Sequence, residues 1–235
     1  MKSISIVIPC YNEEATIKQA IEKTMNFLAK NNLDFEIIIV NDASTDKTRD
    51  IIDEFASDKI TILNNEINLG KGYSVKRGVL AAIKDYILFL DADFSTPIEE
   101  LIKFEPYHNN HKIIIGSRRI ENNLIKIPQP FWKRNLGIIG NRLIKKINQL
   151  PFEDTQCGFK LLHHDCQQLF KKMTINRWGF DIELLHLAQK HKFPVYEVGV
   201  NWFNNFDTKV KLKDYLRTFC EIIKIRLNDW QGKYD

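Results

Sequence analysis

The sequence predicts an α/β fold built on a mostly parallel, doubly wound sheet with helices on both faces. Three observations lead there. Over the first 117 residues, short apolar, β-branched runs alternate with longer segments of helical period. The connections between them are short, as crossovers between parallel strands are. Polar clusters fall just after successive runs, and open α/β sheets bind ligands beyond the carboxyl ends of their strands.

Each element follows in order. Ile4–Ile8 reads as the first strand, because MKSISIVIPCYNEE carries one lysine, turns acidic at once and makes a poor signal peptide. Helical period over Glu13–Lys30 leads to a strand at Glu36–Val40, then a helix at Lys47–Ala56 and a strand at Ile60–Leu63. Tyr73–Lys84 is the next helix, Tyr86–Leu90 the next strand, Pro97–Phe104 a further helix and Lys112–Ile115 the fifth strand. Beyond Arg119 the alternation loosens. Ile120–Gln129 is a polar loop with prolines, Phe131–Gln149 a basic amphipathic helix, and Glu153–Lys160 a polar, glycine-containing segment. Helices from Asp165 and over Asp181–Lys190, a strand at Val195–Trp202 and a last helix at Lys211–Trp230 complete the chain.

Composition narrows the class. The 235 residues are 44% hydrophobic and 27% charged, which supplies a core and excludes disorder, collagen-like repeats and disulfide-stapled miniature folds. One domain spanning 1–235 is expected. The four cysteines, Cys10, Cys157, Cys166 and Cys220, lie far apart and read as reduced thiols of a cytoplasmic protein. No stretch approaches the roughly 20 apolar residues that span a bilayer. The net charge is +4, but nine basic residues face one acid between His111 and Leu150, so the rest of the chain is net acidic. An anionic partner is expected on that middle segment.

The strongest chemical signal is Leu88-Phe89-Leu90-Asp91-Ala92-Asp93. An apolar strand ending in two carboxylates one residue apart suits a Mg²⁺ or Mn²⁺ ion shared with substrate phosphates, with Asp91 and Asp93 as its ligands. A solvated turn capping the next helix is the plain alternative. Asp42, in VNDASTDKT, sits at the tip of the second strand, where an acid can accept hydrogen bonds from a nucleobase or ribose. Pro9-Cys10-Tyr11-Asn12-Glu13-Glu14 offers an aromatic face and polar groups after the first strand. Asn68-Leu69-Gly70-Lys71-Gly72 lets a backbone approach a phosphate closely, with Lys71 as the point charge. Alone, GKG is more often a simple turn. Four polar constellations at four strand tips are harder to dismiss.

These residues resemble the family 2 inverting glycosyltransferases with the GT-A fold, whose nucleotide-diphospho-sugar transferase motifs look like IVIPCYNEE, DASTDKT, NLGKG and DAD here. Gly116-Ser117-Arg118, Asp154-Thr155-Gln156-Cys157-Gly158-Phe159-Lys160 and Arg177-Trp178-Gly179-Phe180-Asp181-Ile182-Glu183-Leu184-Leu185 look like its dolichyl-phosphate β-glucosyltransferase branch. Ser95 stands where mannosyl-transferring relatives usually carry Gln, which favours glucose and leaves a third protein contact to the metal open. The resemblance implies a UDP-glucose donor and a polyprenyl (dolichyl-type) phosphate acceptor. It places Pro9, Tyr11, Glu13, Asp42 and Lys71 on the nucleotide sugar, Asp91 and Asp93 on the metal, and Arg118 and Arg134 on the acceptor phosphate. It sets Asp93, Asp154 and Asp181 in catalysis near the sugar. The chain then divides into a nucleotide-sugar half (1–117), an acceptor half (118–202) and a basic amphipathic helix (203–235).

Elementary chemistry agrees with a phosphate acceptor. A hydroxyl needs a general base, whereas a phosphate monoester is largely dianionic near neutrality and needs cations to hold it. A related transferase acting on a polysaccharide or protein hydroxyl remains the alternative, with Asp154 or Asp181 as its base. Nucleic-acid binding is not expected, because the basic segment lacks the interleaved aromatics that stack on bases. The last helix mixes basic and apolar residues and ends in Trp230, which suits peripheral attachment to a membrane surface as well as packing on the core.

Overall fold

The computed structural model of the chain describes residues 1–120, 125–127, 147–203 and 212–235. The first half alternates as expected: β1 (Ser3–Cys10), α1 (Ile17–Lys30), β2 (Asp34–Asn41), α2 (Thr48–Asp53), β3 (Ile60–Asn64), α3 (Lys71–Ala81), β4 (Tyr86–Leu90), a 3-10 helix (Ile98–Phe104) and β5 (Ile113–Ser117). The second half adds β6 (Ile125–Ile127), β7 (Phe159–His163), α4 (Gln167–Lys172), α5 (Phe180–Lys190), β8 (Val195–Gly199), β9 (Trp202–Phe203) and α6 (Leu212–Trp230).

Seven strands form one sheet in the order β3-β2-β1-β4-β7-β5-β8, and β6 pairs with β9 in a separate ribbon. Side-chain alternation along the strands builds a core on each face. Ile4, Ile6 and Ile8 of β1 and Leu88 and Leu90 of β4 pack with Ile17, Ile21 and Leu28 of α1 and with the 3-10 helix. Val7, Ile87 and Phe89 point the other way, against Val75 and Val79 of α3, Phe170 of α4 and the apolar side of α5. Strands buried on both faces must be apolar throughout, which is why these runs were legible.

The departures have local causes. α1 begins at Ile17 rather than Glu13, because the Glu13 and Glu14 N–H groups donate to Thr48 Oγ1 (2.7 Å) and Asp46 Oδ2 (3.2 Å) on the neighbouring loop. The segment expected as one strand at Val195–Trp202 divides after Gly199: the Val200 N–H still donates to the Ser117 carbonyl of β5 (2.9 Å), and Trp202 pairs with Ile125 of β6. A strand that sequence reading missed, β7, lies antiparallel between β4 and β5. Most of the expected helix Phe131–Gln149, with Arg134, lies outside the described residues. Among the described residues no helix is long and apolar enough to cross a membrane.

Candidate active site

The parallel register brings the tips of β1, β2 and β3 side by side, with Cys10 opposite Asn41 and Asn41 opposite Asn64. The loops that follow are stitched together. The Asn12 N–H donates to Ser44 Oγ (2.9 Å), and the Thr45 N–H donates to Asn12 Oδ1 (2.8 Å). Asn12, Ala43 and Phe94 each take positive φ, at 53°, 58° and 57°, at the tips of β1, β2 and β4. Left-handed backbone at non-glycine residues is costly and collects where loops are shaped for binding.

Asp42 is buried, and its carboxylate accepts three hydrogen bonds, from Asn65 Nδ2 (2.7 Å), the Leu69 N–H (2.9 Å) and the Gly70 N–H (2.8 Å). It therefore fixes the NLGKG loop, and any contact to a nucleoside is additional to that work. Gly70 adopts φ 105°, and a Cβ there would run into the Asn176 carbonyl. Pro9 is buried within β1 beside Val40, Tyr11 opens to solvent at the mouth, and Glu13 accepts from Thr16 Oγ1 at 3.0 Å.

The loop delivers Lys71 to the acid pair. Lys71 Nζ lies 2.6 Å from Asp91 Oδ1 and 5.7 Å above the centre of the Trp178 ring. Burial opposes its charge, but Asp91, Asp181 and Asp93 hold the ammonium above its ordinary range. Burial and the Asp91 charge push the Asp93 carboxyl up, although the Ser95 N–H donates to Asp93 Oδ1 at 2.9 Å. Two adjacent carboxylates, one resisting ionisation because of the other, fit a divalent cation. No group of three or more His, Cys, Asp or Glu residues able to hold a metal occurs among the described residues. An ion held by Asp91 and Asp93 would complete its shell with phosphate oxygens and water, as Mg²⁺ ordinarily does.

Sequence reading recognised the segment Asp154–Lys160 but assigned a role only to its first residue. The structure shows that it serves three others. Asp154, which is buried, takes a bidentate fork from Arg118, with Nε to Oδ2 at 2.6 Å and Nη2 to Oδ1 at 2.8 Å. Burial works against its charge, yet the guanidinium holds the Asp154 carboxyl well below the usual carboxylate range. Gly158 backs onto Asp91, and a Cβ there would overlap the carboxylate. Lys160, fully buried on β7, donates to the Cys157 carbonyl (2.6 Å) and to Asp181 in the first turn of α5. Burial raises the Asp181 carboxyl, against the pull of Lys160 and Lys71. Cys157 lies between the two clusters, and burial beside Asp154 pushes its thiol up to about 12, so it stays an uncharged packing residue. The signal for Lys160 was a lone lysine inside an apolar run, where a charge needs a partner.

Asp91, Asp93, Lys71 and Asp181 thus share one field, while Arg118 and Asp154 form a second pair within reach of Asp91. The Arg118 guanidinium rests 5.5 Å from the Trp202 ring and stays partly exposed. Two N–H groups of its fork are used on Asp154, which leaves the outer edge for an anion.

The profile of glycosyl transferase family 2 matches residues 5–169. The chain is 34% identical to the dolichyl-phosphate beta-glucosyltransferase ALG5D of Trichomonas vaginalis, over 97% of this chain and 75% of that protein. It is 30% identical to the human dolichyl-phosphate beta-glucosyltransferase, over 99% and 78%. Among solved structures it is similar to glucosyl-3-phosphoglycerate synthase from Mycobacterium tuberculosis in complex with Mn²⁺, UDP and glucosyl-3-phosphoglycerate, with a TM-score of 0.70, 18% identity and coverage of 97% and 79%. The same synthase has been solved with Mg²⁺ and UDP, at a TM-score of 0.69, 17% identity and coverage of 97% and 79%. The chain belongs to glycosyl transferase family 2.

Proposed function

We propose that this chain transfers glucose from UDP-glucose to a polyprenyl (dolichyl-type) phosphate with inversion, giving a β-glucosyl phospholipid. The observation that carries this reading is the Arg118–Asp154 fork. A hydroxyl acceptor needs a base poised to take a proton. Asp154 is held well below the usual carboxylate range by its arginine, and Asp181, although burial raises it, is already engaged by the buried Lys160. What the acceptor side offers instead is a partly exposed guanidinium, and Arg binds phosphate with two parallel hydrogen bonds. The dolichyl-phosphate names of the curated relatives support the same acceptor.

In this reading an oxygen of the acceptor phosphate attacks the anomeric carbon from the face opposite UDP. The bond from that carbon to the diphosphate breaks, and UDP leaves with the electron pair. Asp91 and Asp93 would hold Mg²⁺ or Mn²⁺, which supplies Lewis-acid stabilisation of the leaving diphosphate. Lys71 adds a second positive charge at the same place, kept protonated by the acids around it. Tyr11, Pro9 and Glu13 line the nucleoside end, and Asp42 shapes it through the loop it holds. Arg118 grips the acceptor, Arg134 is assigned the same task from sequence, and the enzyme works attached peripherally at the cytoplasmic face of a membrane.

The test is transfer of radiolabelled glucose from UDP-glucose to polyprenyl phosphate, with and without Mg²⁺, for wild type and Asp93→Ala. Metal-dependent label in the lipid fraction, reduced on the order of a thousandfold in the variant, is expected. Label appearing only in soluble glycans in a parallel acceptor scan would replace this reading by the hydroxyl-acceptor one.

A further inference from the structure

Helix α6 presents two unlike faces. Asp214, Ile222, Ile225 and Asn228 are buried. Through Glu221, Ile222, Ile225 and Asn228 the helix is tied to the segment that carries Trp178 and Asp181. The Gly179 N–H donates to Glu221 Oε2 (2.8 Å), and Asn228 Nδ2 donates to Thr174 Oγ1 (2.9 Å). The opposite side carries Leu216, Phe219, Ile223, Leu227 and Trp230, exposed by 69%, 42%, 42%, 48% and 85%. At 3.6 residues per turn these five fall within an arc of about 100°. Leaving so continuous an apolar stripe in water is unfavourable, and such patches mark interaction surfaces.

The charges beside the stripe decide its occupant. Arg217 and Lys224 are exposed along one edge, and Arg226 lies along the other. The acids of α6 turn away: Asp214 is buried, Glu221 is engaged by Gly179, and Asp229 is paired with His186, Lys190 and, at 3.7 Å, Arg226. A second copy docked through the same stripe would set these basic edges against each other. An anionic lipid surface complements both features at once, taking the apolar side chains between its headgroups and the cations at its phosphates. We infer that the outer face of α6 is the docking surface of this protein for a bilayer rich in anionic phospholipid, with Leu216, Phe219, Ile223, Leu227 and Trp230 inserted. The inference draws on the proposed lipid acceptor only for the choice of a membrane over other anionic surfaces. Because the inner face of α6 holds the Gly179–Asp181 turn, docking there sets the active site close above the bilayer.

Cys220 lies within the stripe and is exposed, whereas Cys10, Cys157 and Cys166 are buried, so one thiol accepts a polarity-sensitive NBD label under native conditions. The full chain labelled there is mixed with phosphatidylcholine vesicles containing 0% or 30% phosphatidylglycerol and no polyprenyl phosphate, and co-sedimentation is read alongside emission. A blue shift and pelleting with the anionic vesicles are expected. Leu216→Glu/Ile223→Glu should weaken binding on the order of a hundredfold and Arg217→Glu/Lys224→Glu on the order of tenfold. Both variants should keep wild-type transfer to a short-chain polyprenyl phosphate in detergent micelles, which reports that they are folded and tests the reaction separately from docking. Absence of shift and pelleting while micellar transfer persists would overturn the inference and leave the proposed reaction standing. Equal binding to neutral vesicles would also overturn it, as would a blue shift without vesicles that grows with protein concentration and accompanies a dimer in sedimentation velocity.

Discussion

At the residue scale, the most demanding position is one without a side chain. Gly158 lies against Asp91, and a methyl group there has no room unless the carboxylate or the β7 entry moves. Overpacking of this kind costs about 1–3 kcal/mol in stability. The larger effect is on chemistry, because displacing a carboxylate proposed to hold the metal by about 1 Å is expected to lower rate on the order of a hundredfold. Gly158→Ala is therefore expected to lower kcat/KM by about that factor and to raise the Mn²⁺ concentration needed for half-maximal activity. A titration of initial rate against Mn²⁺ checks this, and an unchanged metal requirement would separate Gly158 from the acid pair. Asp91, Asp93 and Arg118 stand out in the sequence as polar residues directly after apolar strands, and Lys71 as a cation between two glycines at the start of α3. Gly158 does not, since its constraint comes from a carboxylate 67 positions away in sequence, and only the fold brings the two together.

At the element scale, β1, β2, β4 and β5 were readable because burial on both faces makes them largely apolar, and β3, half-exposed at the sheet edge, because its short run is β-branched. β7 escaped notice for the opposite reason. Its five residues include Lys160 at a position where the sheet faces the core beside Phe89, with the ammonium 5.2 Å from that ring. A charge tolerated there implies a partner, and α5 supplies Asp181. Lys160→Met keeps the volume and removes the charge. It strands Asp181, whose carboxyl is already raised by burial and loses the main group that lowers it. The sign then follows. A carboxyl with its folded pKa above the unfolded value of about 3.9 favours the folded state below that value, and the advantage disappears as pH rises through the folded pKa. The variant is expected to lose about 3 kcal/mol near neutrality and to recover part of it toward pH 5. Thermal unfolding from pH 5 to 8 reads this directly. A Tm deficit of the same size at every pH would mean that Lys160 acts by packing alone.

At the scale of the whole molecule, charge is divided by function. The 34 basic and 30 acidic residues nearly balance, yet the stretch from His111 to Leu150 holds nine of the former and one of the latter. That asymmetry was visible in sequence, whereas its use depends on the fold. Arg118 is anchored by Asp154 at the edge of the acid site, so the basic segment begins where the proposed function brings the acceptor. The donor side is built differently. Lys71, Asp91 and Asp93, proposed to hold the donor, are partly buried and Lys71 touches Asp91 directly, so salt screens them little. Long-range attraction of a phosphate acceptor to a basic segment is screened within about 10 Å at 0.1 M salt. Raising NaCl from 50 to 300 mM at saturating UDP-glucose and Mg²⁺ is therefore expected to raise KM for a micelle-dispersed polyprenyl phosphate on the order of tenfold. KM for UDP-glucose, measured at saturating acceptor in neutral detergent, should change about twofold or less. Using micelles keeps α6 docking out of the measurement. Equal salt dependence for both substrates would mean that the basic segment does not meet the acceptor. An acceptor effect that persists unchanged in Arg118→Gln would shift the attraction to Arg134 and the cations beyond it.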